Sequence, residues 1–492
     1  MKTNAEKLPS PWVSAIPLAV LTLLLYVVIR AFGGDAINGG SQIALLSATS
    51  VCVMLAIGVY RCRWAVLEES IIDNIRASAS AIVILLLIGA IAGTWMISGV
   101  VPTMIYYGLQ ILHPSFFLVA SCAICAVVSL MTGSSWTTIA TIGVALMGIG
   151  EAMGFPEGWV AGAIISGAYF GDKLSLLSDT TVLASSTVGV SVFTHIRYML
   201  YTTVPSMLIA LGVFTVAGLA LDHGAATHAE QYAATLAATF RISPWLLLVP
   251  LATGILIAKK LPAIVTLFCA VVFACAAMLA AQPEMVARVA GVEGLDFMSG
   301  FKGVLMTCFG PTAIPTGTPQ LDELVATRGM AGMLNTVWLI VTAMIFGGVM
   351  EAGHFLERLT SALIRRVHST GGLVTTTAAT CVLFNTTASD QYIAIVIPGK
   401  MFAKAYRRNG LAPEVLSRTL EDAGTATSVL IPWNTCGATQ AGVLNVATVA
   451  YLPYAFFCYI SPLMSILFAW LGLRIRRIPP QGALPETENR NK

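Results

Sequence analysis

The sequence predicts an all-α polytopic membrane protein with about 10–12 transmembrane spans. We expect two inverted-topology repeats that contain broken helices or re-entrant hairpins. Three observations support this fold class. Hydrophobic residues fill 57% of the 492 positions and charged residues only 10%, whereas an average soluble domain carries about 25% charged residues. Apolar segments of spanning length recur along the chain, and the second half repeats motifs of the first. Soluble, collagen-like, disordered and disulfide-rich classes are excluded.

The apolar segments account for the predicted spans. Segment 13–33 is long enough to cross a membrane and has no clear cleavage site, so it is a membrane helix and not a signal peptide. Segments 115–150 and 371–399 each enter and leave on one side, as helix pairs or as re-entrant hairpins, and hydropathy leaves both possibilities open. The full set is 13–33, 43–60, 79–100, 115–150, 158–194, 198–221, 245–258, 262–281, 333–353, 371–399, 423–445 and 449–473.

Several functional classes are unlikely from composition and motifs alone. The net charge is +3, and no basic cluster alternates with aromatic residues, so we expect no nucleic-acid partner. The ten cysteines are scattered, mostly in apolar segments, without zinc-binding spacing. No Ser-His-Asp order, P-loop or GxGxxG motif stands out. We therefore expect a protein of the lipid bilayer that is not an enzyme and holds no resident cofactor.

Basic residues between the spans predict the orientation. Loops 33–42, 101–114, 151–158 and 446–450 contain no Lys or Arg. By the positive-inside rule, the basic loops and both termini lie in the cytoplasm. The basic loop residues are Arg61, Arg63, Arg76, His195, Arg197, Lys259, Lys260, Arg358, Arg365, Arg366, Lys400, Lys404, Arg407, Arg408, Arg474, Arg476 and Arg477.

An internal repeat gives the domain organisation. Segment 67–69 matches 321–323, Gly93 matches Gly347 at an offset of 254, and segment 178–180 matches 433–435 at an offset of 255. A near-constant offset indicates duplication. The predicted units are N-terminal scaffold spans (1–60), repeat 1 (61–221), connecting scaffold spans (222–320), repeat 2 (321–473) and a cytoplasmic tail (474–492).

The loop charges indicate that the second repeat is inverted. Loop 101–114 has no Lys or Arg, whereas its counterpart 354–370 has three. Loop 151–158 has none, whereas its counterpart 400–408 has four. Each loop therefore lies on the opposite side of the membrane from its equivalent. Inverted repeats are typical of secondary transporters.

Four polar interruptions break the apolar segments, two in each repeat. Unwound backbone in a membrane is tolerated only where it is buried in protein or lines water. Its carbonyl groups, together with hydroxyl and amide oxygens, can coordinate a cation, while a carboxylate can hold either a proton or that cation. The interruptions are 132–138, 171–181, 385–391 and 431–437.

Acidic residues inside these interruptions are the leading candidates for cation and proton binding. An intramembrane acid indicates a functional site by default, although a structural hydrogen-bonding role is the alternative for each. Asp179 and Asp390 are the predicted cation-binding carboxylates. The further predicted ion- or proton-binding residues are Asp172, Ser178, Thr180, Asn434 and Thr435, and Lys173, Ser135, Ser389, Glu421 and Asp422 are additional candidates.

These motifs together resemble the NhaC family of bacterial sodium/proton antiporters, of the ion-transporter superfamily. The resemblance covers roughly residues 65–470 and is weakest over 222–320. It implies a hairpin and a broken helix in each repeat, and an elevator-like transport domain moving against a scaffold. The motifs that carry it are 133–136, 171–181, 390–392 with 398–399, 420–425 and 430–437.

The resemblance also implies a function. We expect exchange of cytoplasmic Na⁺ or Li⁺ for external H⁺ across the bacterial cytoplasmic membrane, with Na⁺ at Asp179 and Asp390. The alternative is a Na⁺- or H⁺-coupled carrier of a small organic anion or amino acid, such as malate and lactate, for which Lys173 is the candidate anchor. A homodimer formed through the scaffold is possible on either interpretation.

Overall fold

A computed structural model describes residues 9–32, 39–221, 226–259, 261–317, 322, 325–364 and 369–478. Within these ranges the chain is helical, and the β structure amounts to two isolated bridges, 312 with 327 and 411 with 477. The predicted all-α fold class is confirmed. Some sequence-based predictions lie outside the described residues: the match at 321 and 323, the basic residues Lys260, Arg365 and Arg366, and the tail beyond 478.

The first half of the chain forms sixteen helices within the described ranges. A π-helical turn, Leu55–Val59, follows the second, and another, Ile139–Gly143, separates the seventh from the eighth. The helices are α1 Pro11–Phe32, α2 Gly40–Met54, α3 Trp64–Ala77, α4 Ala79–Ile97, α5 Val100–Ile111, α6 Pro114–Thr132, α7 Ser135–Thr138, α8 Val144–Ala152, α9 Glu157–Leu174, α10 Asp179–Val188, α11 Val192–Ala220, α12 Ala226–Thr239, α13 Leu248–Ala258, α14 Ala263–Ala281, α15 Pro283–Ala290 and α16 Phe297–Phe309.

The second half continues with nine helices in the described ranges. A π-helical segment, Glu421–Thr425, joins two of them, and short 3-10 turns occur at Met330–Met333 and Leu452–Tyr454. The helices are α17 Leu334–Ala352, α18 Phe355–Ile364, α19 Thr370–Thr387, α20 Gln391–Arg408, α21 Pro413–Leu420, α22 Ala426–Ser428, α23 Thr435–Leu444, α24 Thr448–Tyr451 and α25 Phe456–Trp470.

Four helices of repeat 1 begin at a near-constant distance from four helices of repeat 2. Helices α4 and α17 begin 255 positions apart, and α6 and α19 begin 256 apart, as do α9 and α21, and α10 and α23. Residues with left-handed backbone recur at the same spacing: Gly133 with Ser389, Gly154 with Gly410, and Gly189 with Asn445. The predicted duplication is confirmed, and around the helix breaks the structural offset is one position longer than the sequence match suggested. The exact domain boundaries stay a prediction.

Seven described helices are long and apolar enough to cross a membrane, or up to nine crossings if each bent helix pair counts as one. Further chain passes through the membrane in shorter pieces. In repeat 1, a break separates α9 from α10. In repeat 2, α21 continues into α22, and a break separates α22 from α23. These are the broken helices that the polar interruptions predict.

The two ambiguous segments each form a helix hairpin. In the first hairpin, α6 is followed by a turn at Gly133 and then by α7 and α8. Gly133 packs closely against Leu177 in the break before α10: a Cβ added to Gly133 would lie 2.5 Å from Leu177 Cβ. The second consists of α19 and α20, and Thr435 N donates to Ser389 O at its turn over 2.9 Å. The turn of each hairpin therefore contacts the helix break of its own repeat.

Candidate functional site

Four helices begin at the centre of the molecule, and each is capped by a side chain from a polar interruption. Ser134 Oγ accepts from Thr137 N (3.2 Å) at the start of α7, and Ser178 Oγ accepts from Thr181 N (3.4 Å) at α10. The other two caps are carboxylate and amide oxygens: Asp390 Oδ1 accepts from Tyr392 N (2.9 Å) and Ile393 N (3.1 Å), and Asn434 Oδ1 accepts from Cys436 N (3.0 Å). Such residues satisfy the free N–H groups of a first helical turn.

Each hairpin is tied to the broken helix of its own repeat by one equivalent side chain. Ser129 Oγ donates to Ala168 O over 2.6 Å. Asn385, 256 positions later, donates from Nδ2 to Gly424 O over 2.7 Å. Close approach is possible in repeat 1 because Gly167 on α9 lies directly against the Cys122 carbonyl of α6. Small residues allow such helix contacts in membranes.

A cavity of about 450 Å³ lies between these breaks and the junction of α3 and α4. Its wall includes three carboxylates, those of Asp172, Asp179 and Asp390, and the aromatic rings of Trp136 and Tyr392. Among the residues described, no Lys or Arg lines it. The cavity is therefore acidic, and the rest of its wall combines hydroxyl, amide, apolar and aromatic side chains.

The cavity reaches toward the face that carries basic loops. Its lining includes Ala77, which follows Arg76, and Leu261, which is two positions after Lys259. A second cavity of about 410 Å³ lies at the other end of the molecule and is lined by Glu151, Asn445 and neighbouring residues. Each cavity therefore faces one of the two loop sets that the charge distribution separated.

Asp172 is held by the tip of the first hairpin. Its Oδ2 accepts from Ser135 N (3.0 Å) and from Ser135 Oγ (2.7 Å). The side chain is 5% exposed, and Oδ1 has no hydrogen bond of 3.5 Å or less within the described structure. One carboxylate oxygen is thus engaged, and the other is buried without a hydrogen bond within the described structure.

Asp390 combines a capping role with a cavity position. Its Oδ1 is used by the two backbone donors of α20, whereas Oδ2 receives only a long contact of 3.4 Å from Thr435 Oγ1. Thr435 also lines the cavity. This carboxylate and this hydroxyl line the cavity together with Gln391 and Tyr392 of the second repeat.

Asp179 is the most accessible of the three acids, and it links the two repeats. Its Oδ2 accepts from the Tyr392 hydroxyl over 2.6 Å, and Oδ1 accepts from Thr180 N over 2.9 Å. Sequence reasoning missed Tyr392, and it also missed Trp136. Both lie inside the motifs that carried the family resemblance, next to Asp390 and Ser135, but nothing in the sequence shows which way their rings point.

Lys173 and Asp422 pair with each other and do not line the cavity. Lys173 Nζ lies 2.5 Å from Asp422 Oδ1, and both side chains are fully buried. Ser461 Oγ donates to Asp422 Oδ1 (3.0 Å), and Thr202 Oγ1 donates to Oδ2 (2.8 Å). The pair joins α9 of repeat 1 to the π-helical segment of repeat 2.

The remaining candidates are buried inside the protein and do not appear in the described lining of the cavity. Thr180 Oγ1 donates to Glu421 Oε1 over 3.0 Å and lies 3.0 Å from Ser178 Oγ. Asn434 Nδ2 donates to Asn385 O over 3.0 Å. Ser389 is buried in left-handed backbone with φ 58°. Of the predicted neutral ligands Ser178, Thr180, Asn434 and Thr435, only Thr435 is found in the described cavity lining.

The acids surround the cavity and do not converge on one point. Within the described residues, no three His, Cys, Asp or Glu side chains come together as a metal site. A bound hard cation would therefore take one or two carboxylate oxygens and complete its shell with hydroxyl, carbonyl or water oxygens. Such a site suits a transported ion that has to leave again.

Comparisons with known proteins show what the chain is similar to. Residues 167–473 match the Na⁺/H⁺ antiporter family. The chain is 38% identical over 428 residues to the Na(+)/H(+) antiporter NhaC of Alkalihalophilus pseudofirmus, which covers 86% of this chain and 90% of that protein. It is 34% identical to the Na(+)/H(+) antiporter NhaC of Bacillus subtilis, covering 83% of this chain and 87% of that one. A third relative, the malate-2H(+)/Na(+)-lactate antiporter of Bacillus subtilis, is 35% identical over 88% of this chain and 89% of its own length.

Proposed function

Because this chain belongs to the Na⁺/H⁺ antiporter family, we propose that it exchanges Na⁺, or Li⁺, for H⁺ across the membrane by alternating access. The observation that carries the proposal is the cavity lined by Asp172, Asp179 and Asp390, whose lining, as far as the structure describes it, contains no basic side chain. It lies where both hairpin turns meet both helix breaks. Interrupted helices at a repeat interface are where transporters of this kind bind their ions.

The cation binds through the free oxygen atoms of the cavity acids. Asp172 Oδ1 has no hydrogen bond within the described structure, and Asp390 Oδ2 has only the 3.4 Å contact with Thr435. A cation arriving at these oxygens displaces a proton, because the same lone pairs cannot hold both. That competition at one site, followed by exposure of the site to the other side, couples the two fluxes.

Asp179 is the third carboxylate of this site. It is exposed to the cavity and held by the Tyr392 hydroxyl of the other repeat. Asp179 and Asp390 remain the proposed Na⁺-binding carboxylates, with Asp172 as their partner. Thr435 supplies a neutral oxygen, whereas Ser178, Thr180 and Asn434 support the backbone around the site.

We place the protein in the bacterial cytoplasmic membrane, with the basic face and both termini in the cytoplasm. The support is the distribution of Lys and Arg over the loops. The acidic cavity then faces the cytoplasm, which suits the loading of cytoplasmic Na⁺. The lipid bilayer, Na⁺ and H⁺ are the proposed partners.

Transport of an organic anion is the less favoured function. A carboxylate substrate needs a cationic anchor, and the candidate anchor, Lys173, is paired with Asp422 in the interior. Three cavity carboxylates would also repel such a substrate. A malate- or lactate-like substrate would therefore have to enter together with neutralising cations.

Everted membrane vesicles test the proposal. Respiration acidifies their interior, and a fluorescent pH dye reports collapse of the pH gradient when NaCl or LiCl is added. We expect collapse with the wild-type protein and a loss of about tenfold or more in its rate for Asp390→Asn and Asp172→Asn. The matched control is Asp73→Asn, because Asp73 is exposed and pairs only with Arg76 at the surface. Absence of any response to Na⁺ or Li⁺ would refute Na⁺/H⁺ exchange.

A further inference from the structure

Two neighbouring acids at the start of the π-helical segment Glu421–Thr425 are fully buried, and they are paired very differently. Asp422 accepts from the Lys173 ammonium and from two hydroxyl groups. Glu421 Oε1 accepts from Thr180 Oγ1 over 3.0 Å. Glu421 Oε2 is buried and has no hydrogen bond of 3.5 Å or less within the described structure. Asp422 is therefore a permanent charge of the ion pair, whereas the surroundings of Glu421 do not fix its charge.

The few donors around Glu421 favour its protonated form. An ionised carboxylate has about four acceptor positions, and burying a charge whose positions are unused is costly. The one hydroxyl donor of Thr180 is too little for a permanent charge. The neutral acid needs fewer partners, so Glu421 can hold a proton inside the protein.

The charges nearby make release of that proton possible as well. Arg418 lies one helical turn before Glu421, on the same face. It is fully buried with its guanidinium carbon 4.6 Å from the Tyr198 ring centroid, and its nitrogen atoms have no hydrogen bonds in the described structure. Arg418 and Lys173 are two cations against the one anion Asp422, so an ionised Glu421 balances the surplus. Neither protonation state of Glu421 is excluded by its surroundings.

Two hydroxyl groups connect Glu421 with the cavity. Thr180 Oγ1, which donates to Glu421, lies 3.0 Å from Ser178 Oγ. Ser178 stands between Leu177 and Asp179, which both line the cavity. A proton arriving at Ser178 Oγ moves the Ser178 hydroxyl proton to Thr180 and the Thr180 hydroxyl proton to Glu421. Both hydroxyl groups stay neutral, and no water has to enter the buried site.

The other charged groups around the segment make no hydrogen bond to Glu421 within the described structure. Helices α19, α22 and α25 contain no Asp, Glu, Lys, Arg or His, and the first charged residue of α20, Lys400, is exposed. His195 Nδ1 of α11 lies 2.8 Å from Ser417 Oγ. Thr180 is thus the side chain that joins Glu421 to the cavity. The groups on the packed elements are Asp172 and Lys173 of α9, Asp179 of α10, His195 of α11, and Glu414 and Arg418 of α21.

We propose that Glu421 binds a second transported proton, at a site separate from the cavity acids that hold the cation. Thr180 connects the two sites, because its N–H donates to Asp179 Oδ1 over 2.9 Å while its hydroxyl donates to Glu421. A cation that draws on Asp179 therefore shifts the hydroxyl through which the Glu421 proton leaves. The inference deepens the proposed function and rests on it. One Na⁺ then exchanges for two protons, one displaced at the shared cavity oxygens and one released by Glu421.

The equilibrium sodium gradient measures how many protons move with each ion. Purified protein is reconstituted in liposomes, potassium and valinomycin hold the membrane potential at zero, and a fixed pH difference is imposed. Radioactive sodium is followed until its distribution stops changing, and that end-point is approached from both directions. Per pH unit, two protons for each Na⁺ sustain an about hundredfold sodium gradient, and one proton sustains an about tenfold gradient.

We expect an about hundredfold gradient for the wild type and an about tenfold gradient for Glu421→Gln. This end-point is independent of the exchange rate, so a merely structural role of Glu421 would slow exchange and leave the gradient unchanged. Thr180→Val should slow the approach to equilibrium by about tenfold or more, and Thr180→Ser should restore it. The matched control is Glu284→Gln, because Glu284 is exposed and pairs with Arg241 at the surface.

The outcomes separate the inference from the proposed function. A wild-type gradient of about tenfold per pH unit, or equal gradients for the wild type and Glu421→Gln, overturns the inference and leaves Na⁺/H⁺ exchange standing. Absence of any sodium movement driven by the pH difference overturns the proposed function together with the inference. If Glu421→Gln does not fold, the wild-type gradient still decides, because one proton for each Na⁺ leaves no second proton to bind.

Discussion

The buried pair of Lys173 and Asp422 allows a quantitative test of what holds the two repeats together. The two charged atoms lie 2.5 Å apart, and both side chains are fully buried. Lys173→Met removes one charge and leaves Asp422 with only the hydroxyl donors of Ser461 and Thr202. Removing one partner of a buried ion pair typically costs about 3–5 kcal/mol. We expect the free energy of unfolding to fall by that amount.

The second variant of the cycle separates the ion pair from simple loss of packing. Lys173→Met combined with Asp422→Leu removes both charges, so no uncompensated carboxylate remains inside. The two hydroxyl groups then lose an acceptor, which costs about 1 kcal/mol each. We therefore expect the double variant to be about 1–3 kcal/mol more stable than Lys173→Met alone.

Unfolding of the purified protein in mixed micelles with increasing SDS measures these differences, with tryptophan fluorescence as the signal. The wild type, both single variants and the double variant complete the cycle. A loss below about 1 kcal/mol for Lys173→Met would refute the reasoning, because a surface pair gives values of that size. A double variant less stable than both single variants would also contradict it.

Two further changes test the helix contacts around the site. Gly167→Ala should lower the free energy of unfolding by about 1–3 kcal/mol, because its new methyl group would overlap the Cys122 carbonyl. The control is Gly212→Ala, because there is open space around Gly212, and it should be neutral or stabilising by up to about 1 kcal/mol. Equal changes in the free energy of SDS unfolding for the two variants would argue against the close α6–α9 contact. Asn385→Leu breaks the 2.7 Å bond to Gly424 and should cost about 2–3 kcal/mol, together with most of the sodium-driven pH response in vesicles. Normal exchange by that variant would exclude a role for this bond in holding the hairpin.

Much of the architecture could be predicted from the sequence, because it depends on local composition. The length of the apolar segments predicted a membrane protein. Polar residues within those segments predicted the positions of both hairpin turns and both helix breaks. The duplication was visible as repeated motifs at a near-constant offset. Around the breaks, the alignment of the two repeats had to be shifted by one position. Sequence matching paired Asp179 with Asn434, whereas in the structure Ser178 and Asn434 are the equivalent N-cap residues.

The candidate site was predicted less completely. Asp172, Asp179, Asp390 and Thr435 line the cavity, whereas Lys173, Glu421 and Asp422 do not appear in its described lining. Tyr392 was missed because its contact with Asp179 joins residues of different repeats. Contacts over such sequence separations arise only from packing, and no local pattern encodes them.

The sequence by itself determined that charged groups would be rare within the apolar segments and would lie in or near the polar interruptions. Only the tertiary structure decided which of them face the cavity. Adjacent residues on a helix point about 100° apart, so Asp172 and its neighbour Lys173 cannot face the same way. Packing of α9 against the second repeat turns Lys173 inward to Asp422 and leaves Asp172 at the cavity wall. The physical reason is that an unpaired charge in a low-dielectric interior is costly, so the one lysine among these acids is neutralised where the two repeats meet.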